Sequence, residues 1–458
     1  MTEAIDLSTP RTIHLIGIGG AGMSAIAEVL HGRGHRVTGS DLSASPAFDR
    51  LLVNGIHAVV GHDAANIHDQ DIIVRSTSIP DSNVEVLAAE QIGKPVRSRG
   101  ELLTAMTAAQ KTVAVAGTHG KTTTSSMLAV IADVAGIDPT FIIGGEVKSL
   151  GTGARAGEGE WFVIEADESD GSGFALDQTI GIVTNVEPDH LENYGGEEAL
   201  REAFAGFVAS STVAVVCADD EGSFALADGS NVVTYGSRPG STYEMSNIER
   251  SGEATTFMLH RGGIQLGQLR VPMPGLHNAQ NALGATAAAL EMGLSFRACQ
   301  AGLANFAGVG RRFDDRGSIA EVDFIDDYAH LPTEVTAAID AAVDTGHQRI
   351  VTVFQPHRYS RTQALWQQFQ SSFDRTDLLI VTDIYSSGEA PREGVTGQLI
   401  VDAVSGRDDS PTIEYHADRE TLADAVADQL RPGDLCLTLG AGDLVDLPDE
   451  VQARLGAT

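Results

Sequence analysis

Apolar runs of strand length alternate with longer stretches of helical periodicity from one end of the chain to the other, the pattern of α/β layers on largely parallel sheet. The first unit is the clearest. Residues 12–41, TIHLIGIGGAGMSAIAEVLHGRGHRVTGSD, predict a strand at 12–16, a glycine turn, a helix over about 23–33 and a second strand at 36–39. Short strands follow at 57–60 and 71–75, and 101–109 reads as helix. A second unit opens the same way, with a strand at 111–116, a glycine loop and a helix. It continues through strands at 161–166, 180–185 and 213–217. Residues 230–275 are rich in β-branched residues and turn signals and predict an antiparallel insertion. A helical run at 278–292 leads into GVGRRFDDRG, a Gly/Arg segment suited to a hinge. Beyond it a third unit has strands near 322–326, 350–355, 378–384 and 435–439. The expectation is three α/β domains: a Rossmann-like domain at 1–107, a central domain with a phosphate loop at 108–314, and a second Rossmann-like domain at 315–458.

Length agrees, since 458 residues suit about three domains of ~150 residues. Composition changes the picture mainly through charge. The formal net charge is -33, and lysine occurs only as Lys94, Lys111, Lys121 and Lys148. A surface that negative repels nucleic acid and anionic membrane, so neither is expected as a partner; solubility or salt adaptation explains the excess. No N-terminal stretch combines a basic flank, an apolar core and a small-residue cleavage site. No apolar run reaches the ~18 residues of a membrane span. A soluble, cytoplasmic protein is expected. Cys217, Cys299 and Cys436 lie far apart in apolar stretches, which predicts buried thiols rather than metal ligands or disulfides.

Three strand ends carry the candidate chemistry of the central domain. Gly117, Thr118, His119, Gly120, Lys121, Thr122 and Thr123 spell GTHGKTT between strand and helix. Such a loop turns backbone N–H groups onto a polyphosphate, with Lys121 reaching the β/γ oxygens and the Thr122 hydroxyl free to ligate Mg²⁺. ATP and Mg²⁺ are therefore the expected cofactors. The string departs from the strict phosphate-loop rule, because Val115 stands where the first glycine belongs. EADESD, from Glu165, and NVEPDH, ending at His190, each follow a strand, where carboxylates meet metal–nucleotide complexes. A solvated acidic loop and a structural histidine are the plainer readings of the two strings taken singly. In the first domain GIGGAGMS fits G-x-G-x-x-G, with Asp41 at the end of the second strand. That fingerprint places a diphosphate at a helix N-terminus without distinguishing one nucleotide from another. In the third domain DDYAHLPTEV and FQPHRYSRT follow strands, and the second gathers His357, Arg358 and Arg361 for gripping carboxylate or phosphate. A charged surface loop is the alternative.

In this order, the motifs resemble those of the Mur ligase family, and within it the members that add L-alanine to UDP-N-acetylmuramate. The strings GIGGAGMSAIAE, GTHGKTTT, EADESDGS, TNVEPDHLENY, GLHNAQNALGA, GVGRRFD, DDYAHLPTEV, FQPHRYSRT, DIYSSGEAPREGV and LGAGD carry the resemblance across nearly the whole chain. It implies a UDP-sugar domain, a central ATPase and a C-terminal domain that closes on the site. Gly19, Gly20, Ala21, Gly22, Met23 and Ser24 would lie against the UDP diphosphate, with Asp41 near the uridine. Lys121 and Thr122 would serve the ATP phosphates and Mg²⁺, while Glu165 and His190 would hold a second Mg²⁺. Asn278 and Asn281 would flank the adenine and Arg312 would meet the phosphates. Tyr328, His330, His357, Arg358 and Arg361 would hold the muramyl carboxylate and the alanine, and Lys121, Glu165, His190, His330 and Arg358 would form the catalytic set. Phosphoryl transfer to the carboxylate, then amine attack on the acyl phosphate, is the implied reaction, carried out by a monomer or weak homodimer. Leu331 stands where the family usually shows a second histidine after His330. No lysine follows Lys148, so the carbamylated lysine of several relatives is excluded.

Three other readings compete. A ligase that reattaches recycled tripeptide to UDP-N-acetylmuramate would share the first two domains, but the intact FQPHRYSRT string argues against it. An NAD-dependent dehydrogenase would leave the phosphate loop unexplained. A non-catalytic nucleotide sensor gives no reason for two phosphate sites and an arginine cluster.

Overall fold

A computed structural model describes residues 4–168, 171–189, 191–407 and 410–456. Three sheets order the chain. The first has strands β1 (Thr12–Ile16), β2 (Arg36–Asp41), β3 (His57–Val60), β4 (Ile72–Arg75) and β5 (Val96–Ser98) in the order β3-β2-β1-β4-β5, all parallel. The second runs through β6 (Lys111–Ala116), β7 (Thr140–Val147), β8 (Thr152–Arg155), β9 (Trp161–Glu165), β10 (Ile180–Val183), β11 (Val213–Cys217), β12 (Val232–Gly236), β13 (Tyr243–Arg250), β14 (Thr255–Arg261) and β15 (Ile264–Val271). Its order is β15-β14-β13-β12-β11-β10-β6-β9-β7-β8. The third contains β16 (Asp314–Ile319), β17 (Val322–Asp327), β18 (Arg349–Phe354), β19 (Leu378–Val381), β20 (Thr412–Tyr415) and β21 (Asp434–Leu439), ordered β16-β17-β21-β18-β19-β20. This is a three-domain α/β fold.

By compactness the chain forms two units. One comprises residues up to 246 with 258–269 and 280–306; the other comprises 247–257, 270–279 and everything from 307. The first contains the first sheet and most of the second. The second is built on the third sheet, whose central strands are apolar on both sides as parallel strands under helices must be. Ile325, Phe354, Leu379 and Leu437 enter one core and Phe324, Val353, Ile380 and Cys436 the other.

Where ligands collect follows from strand order. In the first sheet β1 lies between β2 and β4, and in the second β6 lies between β9 and β10. A crevice opens at the carboxyl end of a strand whose neighbours' connections diverge. Both glycine loops leave from such a strand.

Several elements differ from their sequence reading. The first helix starts at Ala21 and that near 101–109 spans Arg99–Ala108, where Ser98 and Glu101 form a reciprocal cap. The strands expected at 161–166 and 180–185 end at Glu165 and Val183, so residues 166–168 and 184–189 lie outside the strands. The insertion expected at 230–275 is strand-rich, but β12 pairs in parallel with β11 and β13, so it extends the sheet. The three cysteines are buried and free. No described helix is long and apolar enough to cross a membrane.

Candidate functional site

In the first domain β1 ends in a turn whose Gly17 (φ 84) and Ile18 donate to Ser40 O at 2.8 and 3.0 Å. Asp41 Oδ2 accepts from Gly19 N at 2.8 Å, and Ser45 Oγ donates to Gly19 O at 3.1 Å. The helix Ala21–Gly32 follows its N-cap Gly20 with no side-chain cap and no acid in its first turn, so no side chain of its own satisfies its first N–H groups. Met23 and Ser24 are buried, with Ser24 Oγ donating to Ala21 O. Of the predicted contacts, Gly19, Gly20, Ala21 and Gly22 can present backbone to a ligand, whereas Met23 and Ser24 offer no accessible side chain. Beneath Asp41 lies a cluster without sequence signal. Glu85 is fully buried and accepts from His14, Ser40 and Asn66. Burial pushes its carboxyl up, yet those hydrogen bonds prevail and hold it at about 2.

The second loop leaves β6 at Gly117 (φ 135) and enters the helix Lys121–Val134 through Gly120 (φ 78). Both glycines are sterically required. A Cβ on Gly117 would lie 2.0 Å from Thr184 Oγ1, and one on Gly120 2.4 Å from Asn281 Oδ1. The segment after β10 clamps the loop. Asn185 O accepts from Thr118 N, Asn185 Oδ1 accepts from His119 N at 2.8 Å, and Thr184 Oγ1 donates to His119 O at 2.6 Å. The His119 ring meets Glu187 at 3.1 Å.

Lys121 closes this arrangement. Its Nζ donates to Gly117 O (2.6 Å), Thr118 O (3.2 Å) and Glu168 Oε1 (2.8 Å), which uses its three protons. Burial alone would pull its pKa down, but the Glu168 carboxylate outweighs that and keeps the ammonium charged, above its ordinary value. Next to it the Thr122 hydroxyl donates to Glu165 Oε2 at 3.2 Å, while Gly144 N donates to Glu165 Oε1 at 2.7 Å. A hydroxyl and a carboxylate side by side are the hard oxygen donors that Mg²⁺ prefers. Among the described residues no three His, Cys, Asp or Glu gather as a metal set. His190 lies outside the described residues. Asn281 reaches Thr124 Oγ1 at 3.3 Å, and Asn278, one turn earlier, donates instead to Pro274 O.

In the second unit the carboxyl ends of β17 and β18 bring five predicted residues together, and that of β19 adds Tyr385. Tyr328 and His330 meet edge to face at 5.4 Å, His330 and His357 at 5.5 Å, and His357 stacks on Tyr385 at 5.8 Å. Arg361 Nη1 lies 3.1 Å from His357 Nδ1. Arg358 takes φ 68, in the left-handed region, and its Nε is sealed from solvent without a partner. A non-glycine residue held there is backbone strain kept by its surroundings. Arg311 and Arg312 both lie 4.9 Å from the Tyr328 ring centre. Burial, then the nearby His330, Arg361 and Arg358, push His357 down to about 3, so it stays a neutral imidazole. Leu331 is buried, so the position of the family's second histidine faces the core. Sequence reasoning missed Glu168, Tyr385 and Asn185, although each stands inside a quoted string; their partners are set by strand order.

Family models match the chain in three successive parts. The Mur ligase family catalytic domain covers residues 12–111, the Mur ligase middle domain 115–289 and the Mur ligase glutamate ligase domain 311–442. A UDP-N-acetylmuramate–L-alanine ligase of Geobacter sp. (strain M21) is 42% identical, spanning 97% of this chain and 98% of its own. One of Pelotomaculum thermopropionicum is 43% identical over 97% and 98%. The crystal structure of a UDP-N-acetylmuramate–alanine ligase from Thermotoga maritima superposes with a TM-score of 0.83 at 28% identity, covering 98% of this chain and 99% of that one.

Two outcomes are expected. Glu168→Gln leaves a buried ammonium without its counter-ion and should cost the ligand-free protein about 3 kcal/mol. ATP should then raise the melting temperature of the variant more than that of the wild type, as calorimetry with and without nucleotide can test. His357 binds no proton in the native state between about pH 6.5 and 3, whereas the unfolded chain does. Its contribution to stability is complete above pH 6.5 and is lost as pH falls through that window. Imidazole NMR should show the His357 ring neutral at pH 5; a midpoint near 6.5 would contradict the burial argument.

Proposed function

The chain belongs to the Mur ligase family, and we propose that it joins L-alanine to the carboxylate of UDP-N-acetylmuramate with conversion of ATP to ADP and phosphate, a step of peptidoglycan precursor synthesis. The observation that carries this reading is the pair of glycine loops at strands with diverging neighbours, one armed with Lys121, Thr122 and Glu165. It is supported by full-length kinship with ligases of that name.

A carboxylate is a poor electrophile, and most of the catalytic demand is placement and charge neutralisation. The loop from Gly117 to Thr123 takes the ATP phosphates, for which Lys121 gives up Glu168. Asn281 and Asn278 flank the adenine, and Arg312 meets phosphate. Thr122, Glu165 and His190 would hold Mg²⁺, which when bound neutralises the phosphate oxygens. A carboxylate oxygen of the sugar attacks the γ-phosphorus, the bond to the bridging oxygen breaks, and ADP leaves with that electron pair. The alanine amine then attacks the acyl carbon; phosphate departs and the nitrogen loses a proton as the amide forms. Arg358 and Arg361 grip carboxylates, while His330 and Tyr328 line the amino-acid pocket. His357, a neutral imidazole whose Nδ1 accepts from Arg361, is left with its proton on Nε2 and can donate it in a hydrogen bond to a carboxylate oxygen. Gly19, Gly20, Ala21 and Gly22 present N–H groups to the UDP diphosphate, and Asp41 turns to the uridine. The three domains fall at about 1–107, 108–314 and 315–458.

Phosphate release from ATP in the presence of UDP-N-acetylmuramate should appear on adding L-alanine. Release with tripeptide alone, or turnover of NAD(H) instead, would refute the assignment. Lys121→Ala should lower kcat by at least about a hundredfold, measured in the same assay; near-normal turnover would remove Lys121 from the mechanism.

A further inference from the structure

Arg99 stands out by its surroundings. It is the first residue of the helix Arg99–Ala108, where a cation opposes the positive end of the helix dipole. Its neighbour Arg97 is paired with Glu101 at 3.2 Å, and Glu101 also accepts from Ser98 N in the helix cap. The acid nearest in sequence is therefore already engaged. Arg99 Nε is sealed from solvent and bonded to nothing, and no ion pair joins its guanidinium to a carboxylate among the described residues. In a chain with 63 acidic residues and 30 basic ones, a half-buried arginine without a carboxylate requires an explanation.

The glycine turn supplies one. A Cβ on Gly22 would meet Arg99 Nη2 at 3.1 Å, Cζ at 3.2 Å and Nε at 3.4 Å, so the guanidinium lies against Gly22, the third glycine of the G-x-G-x-x-G pattern. Gly22 is the second residue of the helix Ala21–Gly32, whose start has neither a side-chain cap nor an acid. Two helix N-termini and an unpaired guanidinium thus converge, an arrangement that repels itself until an anion enters. In dinucleotide folds the third glycine serves helix–sheet packing; here its bare face makes room for a cation.

We propose that Arg99 is a binding residue for the substrate's diphosphate, gripping its oxygens opposite the backbone N–H groups of the Gly19–Gly22 turn. The inference rests on the UDP-sugar reading of that turn. It also gives the helix after β5, on which no motif fell, a part in the site. The guanidinium fork suits two phosphate oxygens at once, which an ammonium cannot match.

The test measures UDP, uridine and ATP binding to the full chain by calorimetry and competition NMR, for wild type, Arg99→Gln and Arg99→Lys. Arg99→Gln should weaken UDP about ten- to a hundredfold while uridine and ATP bind as before, and Arg99→Lys should fall between. In turnover, KM for UDP-N-acetylmuramate should rise with kcat retained at saturation. Unchanged UDP affinity would overturn the proposal, as would an equal loss for uridine or ATP, which marks a structural role. Failure of the wild type to bind UDP would instead remove the UDP-sugar reading itself.

Discussion

A buried ammonium has to be neutralised where it sits, and the nucleotide end of the central domain is arranged around that need. Lys121 is one of four lysines in the chain, and it spends its protons on two loop carbonyls and Glu168. Those carbonyls point inward only because Gly117 and Gly120 adopt positive φ. The carboxylate arrives only because β9 lies next to β6. Remove either, and a charge is left in low dielectric at a cost of several kcal/mol. On the proposed reading Glu168 stands in for the ATP phosphates in the ligand-free state, so ATP entry would exchange one anion for another.

The same logic extends to the arginines of a strongly acidic protein. Exposed ones such as Arg50 and Arg201 are matched with nearby acids, pairs worth little individually and screened by salt. Arg99 and Arg358 instead keep a sealed Nε without a partner. Both stand beside a strand end, and two of the three substrates of the proposed reaction are polyanions that a net charge of -33 repels at long range.

How far the site was legible differs by residue. GTHGKTT, GIGGAGMS and FQPHRYSRT carry their chemistry in contiguous residues, because a tight turn from strand to helix leaves few choices of side chain. The predicted strands at 12–16, 57–60, 111–116 and 213–217 coincide with those observed, since a buried parallel strand is an unbroken apolar run. The strand Thr140–Val147 escaped notice, as its two glycines and Glu146 break that run. Glu168 was quoted in EADESD without a role, for nothing local distinguishes it from Glu165.

By itself the sequence determined three α/β units, two glycine loops between strand and helix, and the order of motifs that marks the family. Those depend on short-range sterics and on hydrophobic periodicity, which are written in consecutive residues. The tertiary structure decided which carboxylate meets Lys121, that Leu331 turns into the core, that His357 stays neutral, and that Arg99 lies against Gly22. Each of these joins residues tens of positions apart or depends on burial, and both are set by strand order.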